Sequence, residues 1–245
     1  MASTYTPKDA LDFVAQFVHK IPLDKVGTKL CDITNSVIWR AFFWRWSISD
    51  FTAVTCVNGQ QDYPNAIPTD FYRFHVLLLA RTDITPNEFR ELDEKEYIGK
   101  EQSRLGGLND IKIFSILPEV AGIRLELPTN IQTPVTMQIQ GEYQKQPTKI
   151  TDASWETAFS FPDQYFGVYN EGLLYYCYKF SDDPRAGNIE VSSTGLKQYT
   201  GQLGAFMGAL GEMMQKEDLS GGQTSRFPQD PYGWTRTSNP GLFGF

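Results

Sequence analysis

WRAFFWRWSISDFTAVTCVNGQQDYPNAIPTDFYRFHVLLLA, residues Trp39 to Ala80, changes its hydrophobic period part-way along. Up to Trp44 the apolar residues continue a helical stripe that begins upstream, at Val26, Leu30, Ile33, Val37, Ala41 and Trp44. From Phe51 the spacing shortens, and β-branched residues take over at Thr52, Val54, Thr55 and Val57, followed by the turn pair Asn58-Gly59. Tyr63-Pro64, then Ile67-Pro68-Thr69-Asp70-Phe71, lead into a run from Phe74 to Ala80 that reads as buried strand. A helical layer hands over to a β module within this stretch.

Working outward, Thr6-Pro7 with Asp9 opens a first helix: a capping hydroxyl, proline in the first turn and an acid at the positive helix end. Ala10, Val14, Phe17 and Val18 mark its apolar face, which reads on to His19; Ile21-Pro22 breaks it, and Asp24 opens the second helix. Downstream, seven prolines from Pro64 to Pro147 forbid long helices and favour short strands with turns. Strands are expected at Thr52–Val57, Phe74–Arg81, Ile111–Ile116, Ile123–Leu127 and Thr136–Tyr143, forming a small antiparallel sheet or open barrel. Phe89–Lys100 is charged and reads as a short helix; Ser103–Asn109 reads as a polar loop.

Helical spacing returns after Phe161-Pro162-Asp163, at Tyr165, Tyr169, Leu173, Tyr176 and Phe180, and is stopped by Ser181-Asp182-Asp183-Pro184. A last helix carries Leu196, Tyr199, Leu203, Phe206, Leu210 and Met214 on one side, with Gly204, Gly208 and Gly211 on a neighbouring stripe. Glycines there lose up to about 1 kcal/mol each relative to alanine. Their use is close helix–helix approach, within the bundle or between subunits; the alternative is a break in the helix. The predicted fold class is therefore α+β: a bundle of about four helices with an inserted antiparallel β domain and an extended C-terminal arm. The expected boundaries are 1–50 and 151–219 for the two halves of the bundle, 51–150 for the β domain and 220–245 for the arm.

The arm, SGGQTSRFPQDPYGWTRTSNPGLFGF, has no helical or strand period, yet keeps Phe227, Tyr232, Trp234, Phe243 and Phe245. Disordered tails normally lack aromatics. One that carries them at intervals reads as a segment that inserts side chains into another surface, or else packs on its own domain. Its 26 residues, if fully extended, reach about 85–95 Å.

Composition narrows the function classes. The 245-residue chain is 41% hydrophobic and 14% aromatic, against overall disorder. A net charge of −7 argues against gripping nucleic acid along the chain, because such binding neutralises phosphates. Cys31, Cys56 and Cys177 are widely spaced without a CxxC and read as buried small hydrophobes in a reducing compartment. No signal-peptide pattern and no apolar run of roughly 20 residues is present, so a soluble protein made in a cytoplasm is expected, with no membrane partner. His19 and His75 lack ligand partners at metal spacing, and no GxSxG, HExxH, Walker A or GxGxxG motif occurs. Asp182-Asp183 and Asp93-Glu94-Lys95-Glu96 suit capping and solvated charge better than acid–base work, since adjacent residues point apart. No catalytic, cofactor-binding or metal site is expected, and no enzyme.

Two helices ending in a Trp-rich segment, a strand into the Tyr…IPTDFYR turn, a β insertion, then FPDQYFGVYNEGLLYYCYKFSDDPRAG and a last helix together resemble the head–tail adaptor (connector, or tubular A-type neck) proteins of tailed bacteriophages. The resemblance covers roughly residues 20 to 217. It implies a structural ring below the portal, commonly of about twelve copies, enclosing a channel for DNA ejection. It further implies a virion protein of the neck, made in the bacterial host's cytoplasm, that touches portal and a downstream tail or nozzle protein and lets DNA pass without specific binding. Trp44 and Trp46 would close the second helix, Ile67–Phe71 would form the turn into the sheet, and Phe161-Pro162-Asp163 with Asp182-Asp183-Pro184-Arg185 would bound the third helix. The arm, through Phe227, Tyr232, Trp234, Phe243 and Phe245, would dock on the portal, and Gly204, Gly208 and Gly211 would serve subunit packing. A second reading is a ligand- or host-surface-binding β module on a helical oligomerisation stalk; aromatics in Ser103–Asn109 would favour it, and that loop has none.

Overall fold

The computed structural model describes residues 3–57, 60–82, 88–94, 113–125, 137–192 and 195–221. The chain divides into two compact units: Met1–Ser47 with the chain from Pro147 on, and Ile48–Gln146. The fold is α+β.

In the helical unit, α1 (Pro7–Ala15) starts in a capping box, in which Thr6 and Asp9 satisfy each other's backbone N–H groups. It ends at Ala15, short of the expected His19, so Phe17 lies outside the helix and is exposed while Val18 is buried. The second helix, α2 (Leu23–Ala41), begins one residue before Asp24 and stops before Trp44, because Phe42 turns extended. Its buried face is Gly27, Leu30, Cys31, Thr34, Asn35, Ile38 and Trp39, rotated from the expected stripe; Ile33 is exposed. Thr34 and Asn35 are buried because each finds a carbonyl: Thr34 Oγ1 donates to Leu30 O and Asn35 Nδ2 to Thr148 O.

After α2 the indole of Trp44 folds back, and its Nε1 donates to Ile38 O at 2.7 Å. That carbonyl is among the last four of the helix, which lack intrahelical partners, so Trp44 caps the helix with its side chain. Trp46 packs edge-on to Trp39 and also contacts Trp44 and Phe161. A 3₁₀ turn at Asp163–Tyr165 leads into α3 (Phe166–Phe180), which packs on α1, α2 and the last helix. This central position explains why Tyr169, Asn170, Gly172, Leu173, Tyr175, Cys177 and Tyr178 are all buried. Tyr176 and Phe180, expected on the buried stripe, are half-buried and exposed respectively.

The last helix, expected to carry Leu196 and Tyr199, is preceded by a hairpin that takes in both, β9 (Ile189–Val191) and β10 (Lys197–Tyr199). Leu196 and Tyr199 therefore belong to the hairpin. The final helix, α4 (Gly201–Gly221), buries Leu203, Phe206, Leu210 and Met213, with Met214 half-covered. Its backbone carries through Ser220 and Gly221, past the expected boundary at 219.

The inserted unit holds two sheets. The first orders β1 (Ile48–Thr55), β8 (Met137–Lys145), β3 (Phe71–Arg81) and β4 (Glu88–Glu91), each pair antiparallel. The second orders β2 (Asp62–Tyr63), β7 (Gly122–Leu125), β6 (Ile113–Leu117) and β5 (Asp93–Glu94), with β5 parallel to β6 and the other pairs antiparallel. The start of the expected helix Phe89–Lys100 is thus strand: Leu78 to Arg81 present a free edge that Glu88–Glu91 completes. Leu77, Leu79, Ile139, Phe114, Ile123 and Leu125 form one core shared by both sheets, bridged by an edge-to-face contact between Phe74 and Phe114. The Asn58-Gly59 turn and the Ser103–Asn109 loop lie outside the described residues.

Candidate interaction surfaces

The titratable groups are arranged for structure. Burial pushes the Cys31 and Cys177 thiols up to about 12, and raises that of Cys56 as well. Such thiols stay protonated and unreactive. Asp183 accepts hydrogen bonds from the Arg185 guanidinium and backbone N–H, which hold its carboxyl down to about 2; it caps the Pro184–Ala186 turn. Its neighbour Asp182 takes a left-handed backbone at the end of α3. Asp93 and Glu94 pair as strand against β6, while Lys95 and Glu96 lie outside the described residues. His75 Nδ1 sits 3.1 Å from Glu142 Oε2 on the outer face of the first sheet. Among the described residues no group of His, Cys, Asp and Glu is placed to hold a metal ion, and no helix is long and apolar enough to cross a membrane.

The turn Ile67–Phe71 is fixed by its own polar atoms. Tyr143 Oη donates to Asp70 Oδ1 at 2.9 Å, Gln146 N donates to Asp70 O, and Gln146 Nε2 to Phe71 O. Asp70 thereby ties the start of β3 to the end of β8. A second lacing joins the N-terminal segment to the entrance of α3. Ser3 Oγ, Thr4 N and Thr4 Oγ1 all donate to the Asp163 carboxylate, and Tyr5 stacks on Phe166 at 4.0 Å. These contacts hold Asp163 below the usual carboxylate range, Ser3 contributing most.

What remains exposed is apolar side chain. On the helical unit, Phe13 (39% exposed) and Phe17 (44%) pair at 5.3 Å between ring centroids. The hairpin shows Ile189 (53%), Val191 (65%) and Leu196 (60%). On the β unit, Val57, Phe89 and Val120 are exposed singly. Of the glycines expected to serve subunit packing, Gly208 is exposed with open space around it, Gly204 faces the Tyr199 carbonyl, and Gly211 is buried. The arm residues Phe227, Tyr232, Trp234, Phe243 and Phe245 lie outside the described residues.

Two features escaped the sequence reading. Gly172 on α3 and Gly27 on α2, not the α4 glycines, admit a neighbouring helix's side chain: a Cβ at Gly172 would stand 2.7 Å from the Phe206 ring and 3.0 Å from Thr34 Cγ2, and one at Gly27 would stand 2.8 Å from Leu11 Cδ2. The hairpin base is pinched by Gly187 (φ 77°) and Gly201 (φ 58°), whose backbones touch so closely that neither admits a side chain. The spacing Gly187-Asn188 and Thr200-Gly201 around Ile-Glu-Val and Lys-Gln-Tyr was the available signal for that hairpin.

No curated protein matches the chain. The family model of the SU10 adaptor protein matches residues 8–226, across both units. Carried by a match over most of its length, the chain belongs to the SU10 adaptor protein family, a family of phage head–tail adaptors.

Proposed function

We propose that the protein is a structural subunit of a phage neck ring, a homo-oligomer of about twelve copies that joins the portal to the tail around a DNA channel. The family match over residues 8–226 carries this reading, since it spans the helical and the β unit alike. The acidic balance, −7 per chain, suits a wall that DNA passes without being held. The exposed apolar groups of the helical unit suit a surface that other subunits cover. Gly208, exposed on α4, is free to admit a neighbouring helix. The arm, which follows α4 after Gly221, inserts Phe227, Tyr232, Trp234, Phe243 and Phe245 into the portal, and a downstream tail or nozzle protein meets the opposite end of the ring.

Negative-stain imaging and light scattering of the protein mixed with the phage's own portal test the reading: rings with a central hole are expected, and a strict monomer in both settings overturns it. Deleting the chain after Gly221 should leave melting nearly unchanged and abolish attachment. Undiminished attachment would move the docking surface elsewhere on the subunit.

A further inference from the structure

The hairpin is built with care and buries little. Its neck is closed by Gly187 against Gly201, and Thr200 N donates to Asn188 O while Asn188 N donates to Thr200 Oγ1. Its tip is closed by Ser192 N donating to Leu196 O and Gly195 N to Ser192 O. Strand pairing sets Ile189 opposite Tyr199 and Val191 opposite Lys197, so these four share a face, with Glu190, Gln198 and Leu196 on the other. At the base Tyr199 packs on the helical core; beyond it Ile189, Val191 and Leu196 stand more than half exposed. A two-stranded hairpin is marginally stable alone in water, and one that shows apolar groups on both faces gains stability only when covered.

Elsewhere on the same unit, α1 and the turn that follows it present the Phe13–Phe17 ring pair. The exposed Asp12 precedes Phe13 in sequence, and Asp9, whose carboxylate accepts from Thr6, lies one turn before it; the nearby Lys8 is paired with Glu156, which leaves this stretch of α1 acidic. On the hairpin, the charge beside Ile189 and Val191 is cationic, from the exposed ammonium of Lys197. Beside the singly exposed Tyr5, Ile33 and Phe180, the described residues of this unit thus carry two unlike apolar patches with opposite neighbouring charge. That is what a contact between identical copies needs when it is heterologous, one patch of each copy meeting the other patch of the next.

We infer that the β9–β10 hairpin of one copy docks on the Phe13–Phe17 face of the next copy, with Lys197 against Asp12. The inference rests on the ring reading above and names which surfaces make the ring. It is a partner of stated chemistry, a second copy of this chain.

Two full-length double variants test it: Ile189→Ser with Val191→Ser, and Phe13→Ser with Phe17→Ser. Self-association is followed by sedimentation velocity, for the chain alone at high concentration and for the chain mixed with its portal. Each variant by itself should lose the ring while keeping the wild-type melting temperature. An equimolar mixture should form dimers of one copy of each that do not grow, because only one intact pair of surfaces remains. Charge gives a second readout that touches only exposed groups: Lys197→Glu and Asp12→Lys should each raise the concentration for half-assembly by roughly tenfold, and together restore it. A hairpin variant that still assembles at wild-type concentration, or a mixture that stays monomeric, overturns the inference while leaving the ring reading intact. A wild-type chain that forms no ring in either setting overturns both.

Discussion

Replacing Gly172 by alanine places a methyl group where α3 meets α2 and α4. Its carbon would lie 2.7 and 3.0 Å from two ring carbons of Phe206 and 3.0 Å from Thr34 Cγ2. Phe206 is 1% exposed and Thr34 fully buried, so neither side chain has room to give way. Overpacking a close-packed core costs about 1–3 kcal/mol, and the better helix propensity of alanine returns about 1 kcal/mol of that. The net is a loss of about 0–2 kcal/mol. Gly208→Ala is the control: among the described residues nothing lies within 4 Å of its added methyl, so the propensity gain of about 1 kcal/mol stands alone. At about 2–4 °C per kcal/mol for a chain of this size, the two variants should melt several degrees apart, on opposite sides of wild type. Thermal unfolding followed by helical circular dichroism, on unassembled protein, measures the gap. Gly172→Ala melting as high as Gly208→Ala would refute the claim that α3 is jammed against Phe206. The same Gly208→Ala protein, mixed with portal, reports on subunit packing: reduced assembly with raised stability is expected if α4 meets a neighbour there.

Trp44→Phe should destabilise the helical unit by about 2–4 kcal/mol in chemical denaturation, because it truncates a buried indole and strands the Ile38 carbonyl. Trp46→Phe should cost at least about 1 kcal/mol less, since the Trp46 Nε1 is already buried with no hydrogen-bond partner among the described residues; equal losses would contradict the capping role of Trp44. The lacing at Asp163 has a pH signature. Its folded pKa is depressed by Ser3 and Thr4, so the stabilisation is fully present above the ordinary value of 3.8 and is lost as pH falls through the folded value. The Thr4 amide resonance should therefore titrate below the ordinary value of 3.8, and Asp163→Asn should remove that titration; a midpoint at or above 3.8 would show the carboxylate is not held. Duplex DNA should show no gel shift at sub-micromolar protein and physiological salt, given a charge of −7; a discrete shifted band would mean a basic surface that the dispersed Lys and Arg residues do not suggest.

The α+β class was legible because period and β-branching change together near Phe51, and local chemistry of that kind survives in a single sequence. Helix starts were legible wherever capping is local, as at Thr6-Pro7-Asp9. The face of α2 was not. Counting apolar residues selects Val26, Ile33 and Val37, whereas the bundle buries Gly27, Thr34 and Asn35, whose suitability depends on partners far along the chain such as Thr148 and Phe206. Glu88–Glu91 reads as charged helix until the unpaired edge of β3 is known. Leu196 and Tyr199 continue the period of α4 in sequence, and only the contact between Gly187 and Gly201 shows that the chain turns back there. The family was legible from the order of Trp-rich segment, IPTD turn and FPD entrance, whose residues Trp44, Asp70 and Asp163 serve as caps and ties. The exposed patches on α1 and the hairpin were not legible, since exposure is a property of the finished unit.

The β unit enters and leaves through neighbouring strands: Ile48, at the start of β1, lies opposite Gln144 near the end of β8. About a hundred residues therefore separate the two halves of the helical unit in sequence, while in space their junctions are held by a strand pairing. Closing an unstructured loop of that length costs about 4 kcal/mol of chain entropy. Once β1 and β8 zip together, that entropy has been spent within the inserted unit, and α1 and α2 meet α3 and α4 as though joined by a short link. The insertion is thus also a clasp for its host. Lengthening its outer loops should scarcely weaken the bundle, whereas unpairing Ile48 from Gln144 would restore the whole cost of the loop.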